Sequence, residues 1–267
     1  MKRILIPSAI AALSSLNLDA AVLVSGSATI TLKEGMADSI SAFDAYFNAS
    51  ASRADTLSTA APGNESFVRN EGTVQLVDPI RPYGEVPSGY PGSPGGSRSP
   101  QITNLDFDPS NILGSWGASA DSFGTFVNLG STGEQIAFTS MQRWTGPFTG
   151  SLLYGDFALR YVPTRAGTEA LGGVLSGLVL TSNIDFLNSS WADLANVTIS
   201  FSGDTLTVTG DLLISGAINI LDPSAVVGEN FGTFSLTAMI PEASTWTLMG
   251  VGAFLLAVSK LKRLKTS

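Results

Sequence analysis

Beyond Pro100 the chain keeps a two-residue rhythm, and that rhythm limits the fold more than any other feature of the sequence. In Leu206-Thr207-Val208 and in Phe157-Ala158-Leu159-Arg160-Tyr161 alternate positions carry the large apolar side chains, the pattern that sends neighbours to opposite faces of a strand. Strands are expected over 102–107, 124–129, 135–140, 152–162, 175–186, 197–201, 205–220 with a break near Gly210-Asp211, and 232–240. Ser202-Gly203-Asp204 is a hairpin signal, with a glycine free to take positive φ. Short strands punctuated by Gly, Asn and Asp turns predict a mainly β body of β-sandwich or jelly-roll type. The rung-like stretch 205–221 leaves a right-handed parallel β-solenoid as the alternative, although no fixed repeat crosses the body.

The first half is less regular. An alternating strand is expected at 22–32 and a weaker one at 73–77. Between them Met36, Ile40, Phe43 and Phe47 recur at helical spacing with Asp38 and Asp44 off that face, which predicts a short N-terminal helix or an irregular insertion over 36–47. Residues 48–64, rich in Ala, Ser and Thr, are expected to loop over the surface. Residues 81–100 hold five prolines and five glycines, which exclude a central strand or a helix interior. They form an exposed loop or a linker to a small N-terminal subdomain, and the strand-poor region before them favours the loop.

The chemistry open to this chain is narrow. It has no Cys and no His, which removes thiol nucleophiles, imidazole bases, imidazole ligation of haem and Cys/His zinc sites. Residues 22–240 carry 20 acidic and eight basic residues, a net charge of −12, and their one lysine is Lys33. Such a body disfavours nonspecific binding to nucleic acid and to anionic lipid. At 267 residues the chain suits one generous all-β domain.

Basic charge gathers at the two ends instead. Lys2 and Arg3 precede an uncharged stretch from Ile4 to Leu18 that ends in Asp19-Ala20-Ala21, the order of a secretory signal peptide. Residues 1–21 are therefore expected to be a leader, cut after Ala20 or after Ala21. At the other end, Pro241-Glu242-Ala243-Ser244-Thr245-Trp246 opens an apolar run that reaches Val258, followed by Lys260, Lys262, Arg263 and Lys265. With Thr245 and Leu261 included and the lysines snorkelling, the run approaches the roughly 20 residues of a transmembrane helix. The basic cluster sets its C-terminus in the cytoplasm, and Trp246 suits the opposite interface.

This tail, 241–267, resembles the PEP-CTERM sorting signal of exported proteins of Gram-negative bacteria: a Pro-Glu-Pro motif, a hydrophobic helix and a basic terminus. Pro241-Glu242 match, and Ala243 stands where the second proline is usual. The resemblance implies recognition and processing by an exosortase-type enzyme after passage through the general secretion machinery. It also implies a precursor anchored transiently in the inner membrane and a mature form on the outer surface or outside the cell.

Candidate sites in the body 22–240 are sparse. Asp106, Asp108 and Asn111 place oxygen ligands at spacing that suits Ca²⁺, but without the turn glycine and late bidentate acid of an EF-hand, and the same residues are ordinary turn formers. Trp116, Trp144 and Trp191, with Tyr83, Tyr90 and Tyr154, offer sugar-stacking surfaces or simply core. Trp144, flanked by Gln142, Arg143, Thr145 and Gly146-Pro147, sits in the most polar, turn-like setting. Glu134, Glu169 and Glu229 belong to no recognisable pair of glycosidase carboxylates. The sequence thus predicts an exported surface or extracellular-matrix protein, structural or adhesive, with no catalytic residues and no cofactor beyond the Ca²⁺ option. A matrix polysaccharide is the expected partner. A carbohydrate-binding module and a carboxylate-dependent polysaccharide hydrolase are the alternatives.

Overall fold

The structure, a computed structural model, describes residues 21–34, 36, 39–43, 67–70, 73–84, 101–108, 111–122, 126–128, 133–138, 141–145, 151–184, 188–221 and 223–240. Among the described residues seventeen strands and two short helices follow in order: β1 (Ala21–Val22), β2 (Ser25–Leu32), β3 (Ser39–Phe43), β4 (Phe67–Asn70), β5 (Thr73–Pro79), β6 (Asp106–Phe107), α1 (Ile112–Ser115), β7 (Ala120–Ser122), β8 (Phe126–Asn128), β9 (Ile136–Ala137), β10 (Met141–Thr145), β11 (Ser151–Gly155), β12 (Ala158–Tyr161), β13 (Glu169–Ala170), β14 (Gly173–Ser182), β15 (Ser189–Ser202), β16 (Thr205–Ile214), α2 (Gly216–Leu221) and β17 (Asn230–Met239). The body is mainly β, as its rhythm predicts.

Twelve strands form one open antiparallel sheet whose spine runs β4-β5-β2-β17-β16-β15-β14-β12-β9. Smaller sheets pair β1 with β6 and order β11-β10-β3. Every ladder between these strands is antiparallel. A parallel solenoid needs the opposite, so that alternative is overturned.

The spine curls until its remote strands touch. Just after β5, Ile80 bridges Phe138, just after β9, and the Arg81 N–H donates to the Ala137 carbonyl at 2.9 Å. The Phe138 ring meets Phe234 of β17 edge to face at 6.2 Å. One contiguous core fills the curl, with Ile30, Leu180, Leu194, Val208, Phe234 and Leu236 all within 1% of complete burial. The face-to-face burial that a sandwich obtains from two sheets is obtained here from the curvature of one.

Local chemistry explains the central hairpin. Ser202 pairs with Thr205, leaving Gly203-Asp204 as a two-residue turn with Gly203 at φ 61°. Positive φ at Gly203 but not at Asp204 marks a type II′ turn, whose twist matches the strands it joins.

Two expectations are corrected. The helix expected over 36–47 is contradicted at Ser39–Phe43, which is β3 and pairs along its whole length with β10; cross-strand hydrogen bonding outweighs a helical spacing of only four apolar residues. The strand expected over 205–220 runs unbroken through Gly210 but stops at Ile214, and 216–221 are helical because Ala217 and Ile218 bury against the core. Residues 85–100, the expected loop or linker, lie outside the described residues; flanking them, the Gly84 N–H donates to the Thr103 carbonyl at 2.7 Å. Among the described residues no helix is long and apolar enough to cross a membrane. All of the expected leader 1–21 except Ala21, and the expected span within 241–267, lie outside them.

Candidate functional site

A concavity among the described residues forms where the β13–β14 hairpin meets the loop before β17. Ala170 pairs with Gly173, so the hairpin turns on Leu171-Gly172. The Gly172 N–H donates to the Gly228 carbonyl at 2.8 Å, and the Gly228 N–H to that of Ile214 at 2.8 Å. A Cβ on Gly172 would fall 2.4 Å from Leu213 Cδ2 and 3.1 Å from the Gly228 carbonyl, so any side chain here would have to displace Leu213. The resulting cleft of about 440 Å³ has apolar walls from Leu171, Leu175, Leu213 and Val227 and carboxylates from Glu169 and Asp193.

Asp193 is not a free acid. Arg165, 6% exposed, reaches it through Nη1 at 2.7 Å and grips Asp121 with Nε at 2.8 Å and Nη2 at 2.7 Å. Nη2 also donates to Ser190 Oγ at 2.9 Å. Burial opposes the Arg165 charge, but the hydrogen bonds and charges of Asp121 and Asp193 outweigh it and hold the guanidinium above its usual value. Burial raises the Asp193 carboxyl, attraction to Arg165 offsets part of that, and repulsion from Asp121 adds to it. Two carboxylates, Asp121 and Asp193, thus share one guanidinium.

Five residues away, Arg160 is fully buried and has a different shell. Its Nε donates to Gln135 Oε1 at 2.8 Å, Nη1 to Asn188 Oδ1, and Nη2 to Gln101 Oε1 at 3.1 Å. Burial lowers its pKa to about 10. Gln135 in turn donates through Nε2 to the Ile102 carbonyl at 2.9 Å, and its N–H donates to Asn104 Oδ1 at 2.9 Å. Arg160 therefore ties together the segments around 101–104, 133–135 and 188. None of these partners is close in sequence to another element's, and no spacing rule points to either arginine.

The residues singled out from the sequence are dispersed. Asp106, on β6, sits beside Tyr83; partial burial first, then the charge and hydrogen bond of Asp106 and the charge of Glu134, raise the Tyr83 hydroxyl. Asn111 caps α1, its Oδ1 accepting from the Gly114 N–H at 3.2 Å, while the Asp108 N–H donates to Ser115 Oγ at 2.8 Å. Among the described residues no group of three or more Asp and Glu gathers as a metal centre. Trp144 belongs to strand β10 rather than to a turn, its backbone opposite Ile40 and Leu152; its side chain lies outside what is described. Trp116 packs edge to face on Phe107 at 5.6 Å, and Trp191 against Phe157 at 5.0 Å and Phe231 at 5.2 Å, so both are core. Tyr90, the motif Pro241 to Trp246 and the basic residues Lys260 to Lys265 lie outside the described residues.

No family model matches the chain, and no curated protein matches it. Among solved structures, the C-terminal domain of HtaA from Corynebacterium glutamicum aligns over 82% of this chain and 99% of that one, at 9% identity and a TM-score of 0.40.

Proposed function

We propose that this chain is an exported surface or extracellular-matrix protein, delivered by its C-terminal tail and acting by structural or adhesive association rather than catalysis. The observation that carries the reading is the meeting of the body's two ends. The Val24 N–H donates to the Met239 carbonyl at 3.0 Å, Ser25 lies opposite Met239, and the Ile240 N–H donates to the Asp204 carbonyl at 2.7 Å. Residues 24 and 240 thus lie at one end of the sheet, an arrangement that suits a precursor held at a membrane by segments at both ends of the body. Pro241 follows at once and has no N–H to extend the ladder. An exosortase-type cut beyond it would cost the described body no strand.

The same reasoning favours leader cleavage after Ala20. Ala21 pairs with Phe107 in β1, and a cut after Ala21 would remove half of that strand. Replacing Lys260, Lys262, Arg263 and Lys265 by Gln tests the tail. The expected result is loss of the processed form, with unprocessed protein accumulating or escaping. Unchanged processing would remove the basic cluster from the account.

A further inference from the structure

The outward side of the β15–β16–β17–β2 ladder carries a grid of hydroxyls. Thr198 lies opposite Thr209, Thr209 opposite Ser235, and Ser235 opposite Thr29. One step along, Ser200 lies opposite Thr207, Thr207 opposite Thr237, and Thr237 opposite Ser27. The intervening residues, among them Ile199, Val208, Leu236 and Ala28, turn inward. Four of the eight hydroxyl residues are exposed and four half-buried. Among the described residues none of the eight hydroxyls has a partner within the protein.

Two features set this face apart from the ordinary solvated side of a sheet. No charged residue interrupts either row, although the chain is acidic overall. The hydroxyls also repeat in two directions, at about 4.8 Å from strand to strand and about 6.7 Å between alternate residues of a strand. A surface of this kind offers donors and acceptors in regular alternation to an uncharged ligand that repeats. It gives an anionic polymer no cation to pair with.

We propose that this face binds neutral polysaccharide chains through its hydroxyl rows. The proposal rests on the exported, adhesive reading and names the partner of that body. Sheet twist decides between the uncharged repeating partners. Neighbouring strands rotate by about 20–25°, so four strands sweep on the order of 60–75°. A rigid planar lattice such as ice can touch only part of such a face, whereas a flexible chain can follow it. Neither row carries an aromatic platform, so each contact is weak, and retention comes from many contacts along one polymer.

The test is affinity electrophoresis of the purified full chain in mild detergent, through native gels cast with dextran, hydroxyethylcellulose or galactomannan and, in parallel, with anionic alginate. Retardation is expected in a neutral gel and not in alginate. Thr207→Val with Thr237→Val, which removes two of the eight hydroxyls but keeps shape, should weaken it measurably, and Trp144→Ala should leave it intact. Thr207→Lys with Thr237→Lys should weaken it further and decides the matter if the valine variant does not fold. The proposal is overturned if no neutral gel retards the chain, if the hydroxyl variants migrate like the parent, or if the parent instead halts ice growth and the valine variant does not. Export is read separately by fractionation. An exported body that no gel retards sinks only the hydroxyl face, and a retarded body found in the cytoplasm sinks only the export.

Discussion

The two halves of β15 show how differently one strand can be used. From Ser190 to Ala195 nearly every residue is buried, and the one acid, Asp193, is clamped by Arg165. From Thr198 to Ser202 hydroxyls face out and Ile199 and Phe201 face the core. The ladder shifts register between Ala195 and Thr198, and at that irregularity Asn196 takes φ 51° and donates from Nδ2 to Asp211 Oδ2 at 2.7 Å. Charge is thus locked inside at one end of the strand and absent from the outer rows at the other. The inner half carries stability, and the outer half leaves an uncharged surface whose changes should cost the fold little.

The sharpest way to break that contrast is at Arg165. Arg165→Met leaves Asp121 and Asp193 in low dielectric without their cation and should cost about 3–5 kcal/mol in denaturant unfolding. The loss should depend on pH. Without Arg165 the carboxyls have folded-state pKa values above their unfolded ones, so the penalty is present above the folded value and fades as pH falls through it. A variant equally unstable at pH 8 and pH 4.5 would mean that the clamp is not what was lost.

Arg160 sharpens the comparison, because its acceptors are neutral amides. Arg160→Met should cost only about 1–2 kcal/mol, since amide oxygens left behind can take water or re-pair. Its pH signature has the opposite origin. A base whose pKa is lowered by burial to about 10 in the folded state binds fewer protons when folded than when unfolded. The parent should therefore gain stability relative to the variant as pH rises through that value, and the difference should be flat below it. A difference that shrinks between pH 9 and pH 11.5 would contradict the buried, uncompensated charge. The smallest effect belongs to the outer face. Thr207→Val with Thr237→Val should change stability by less than about 0.5 kcal/mol, while weakening polysaccharide retardation.

These contrasts explain which parts were legible in the sequence. The rhythm of Leu206-Thr207-Val208 and the Gly203-Asp204 turn are local, and local rules found the hairpin with its turn intact. The same rules mistook residues 39–43 for helix because the pairing with β10 lies about a hundred residues away along the chain. They also missed the curl of the sheet, which depends on Ile80 meeting Phe138. Asp121, Arg165, Ser190 and Asp193 come together from separate segments, so no spacing announces the clamp. The alternating Thr and Ser positions were visible in each strand alone. That they align across four strands depends on register, which periodicity cannot supply.

The proposed function requires that the segments before Ala21 and after Ile240 direct the body out of the cell and are then removed. The most direct measurement is the intact mass of the protein recovered outside the cell, with both termini sequenced. The account predicts a chain that begins at Ala21, retains everything through Ile240, and lacks the basic cluster that starts at Lys260. Full-length protein confined to the cytoplasm, with Met1 and Ser267 both present, would contradict it.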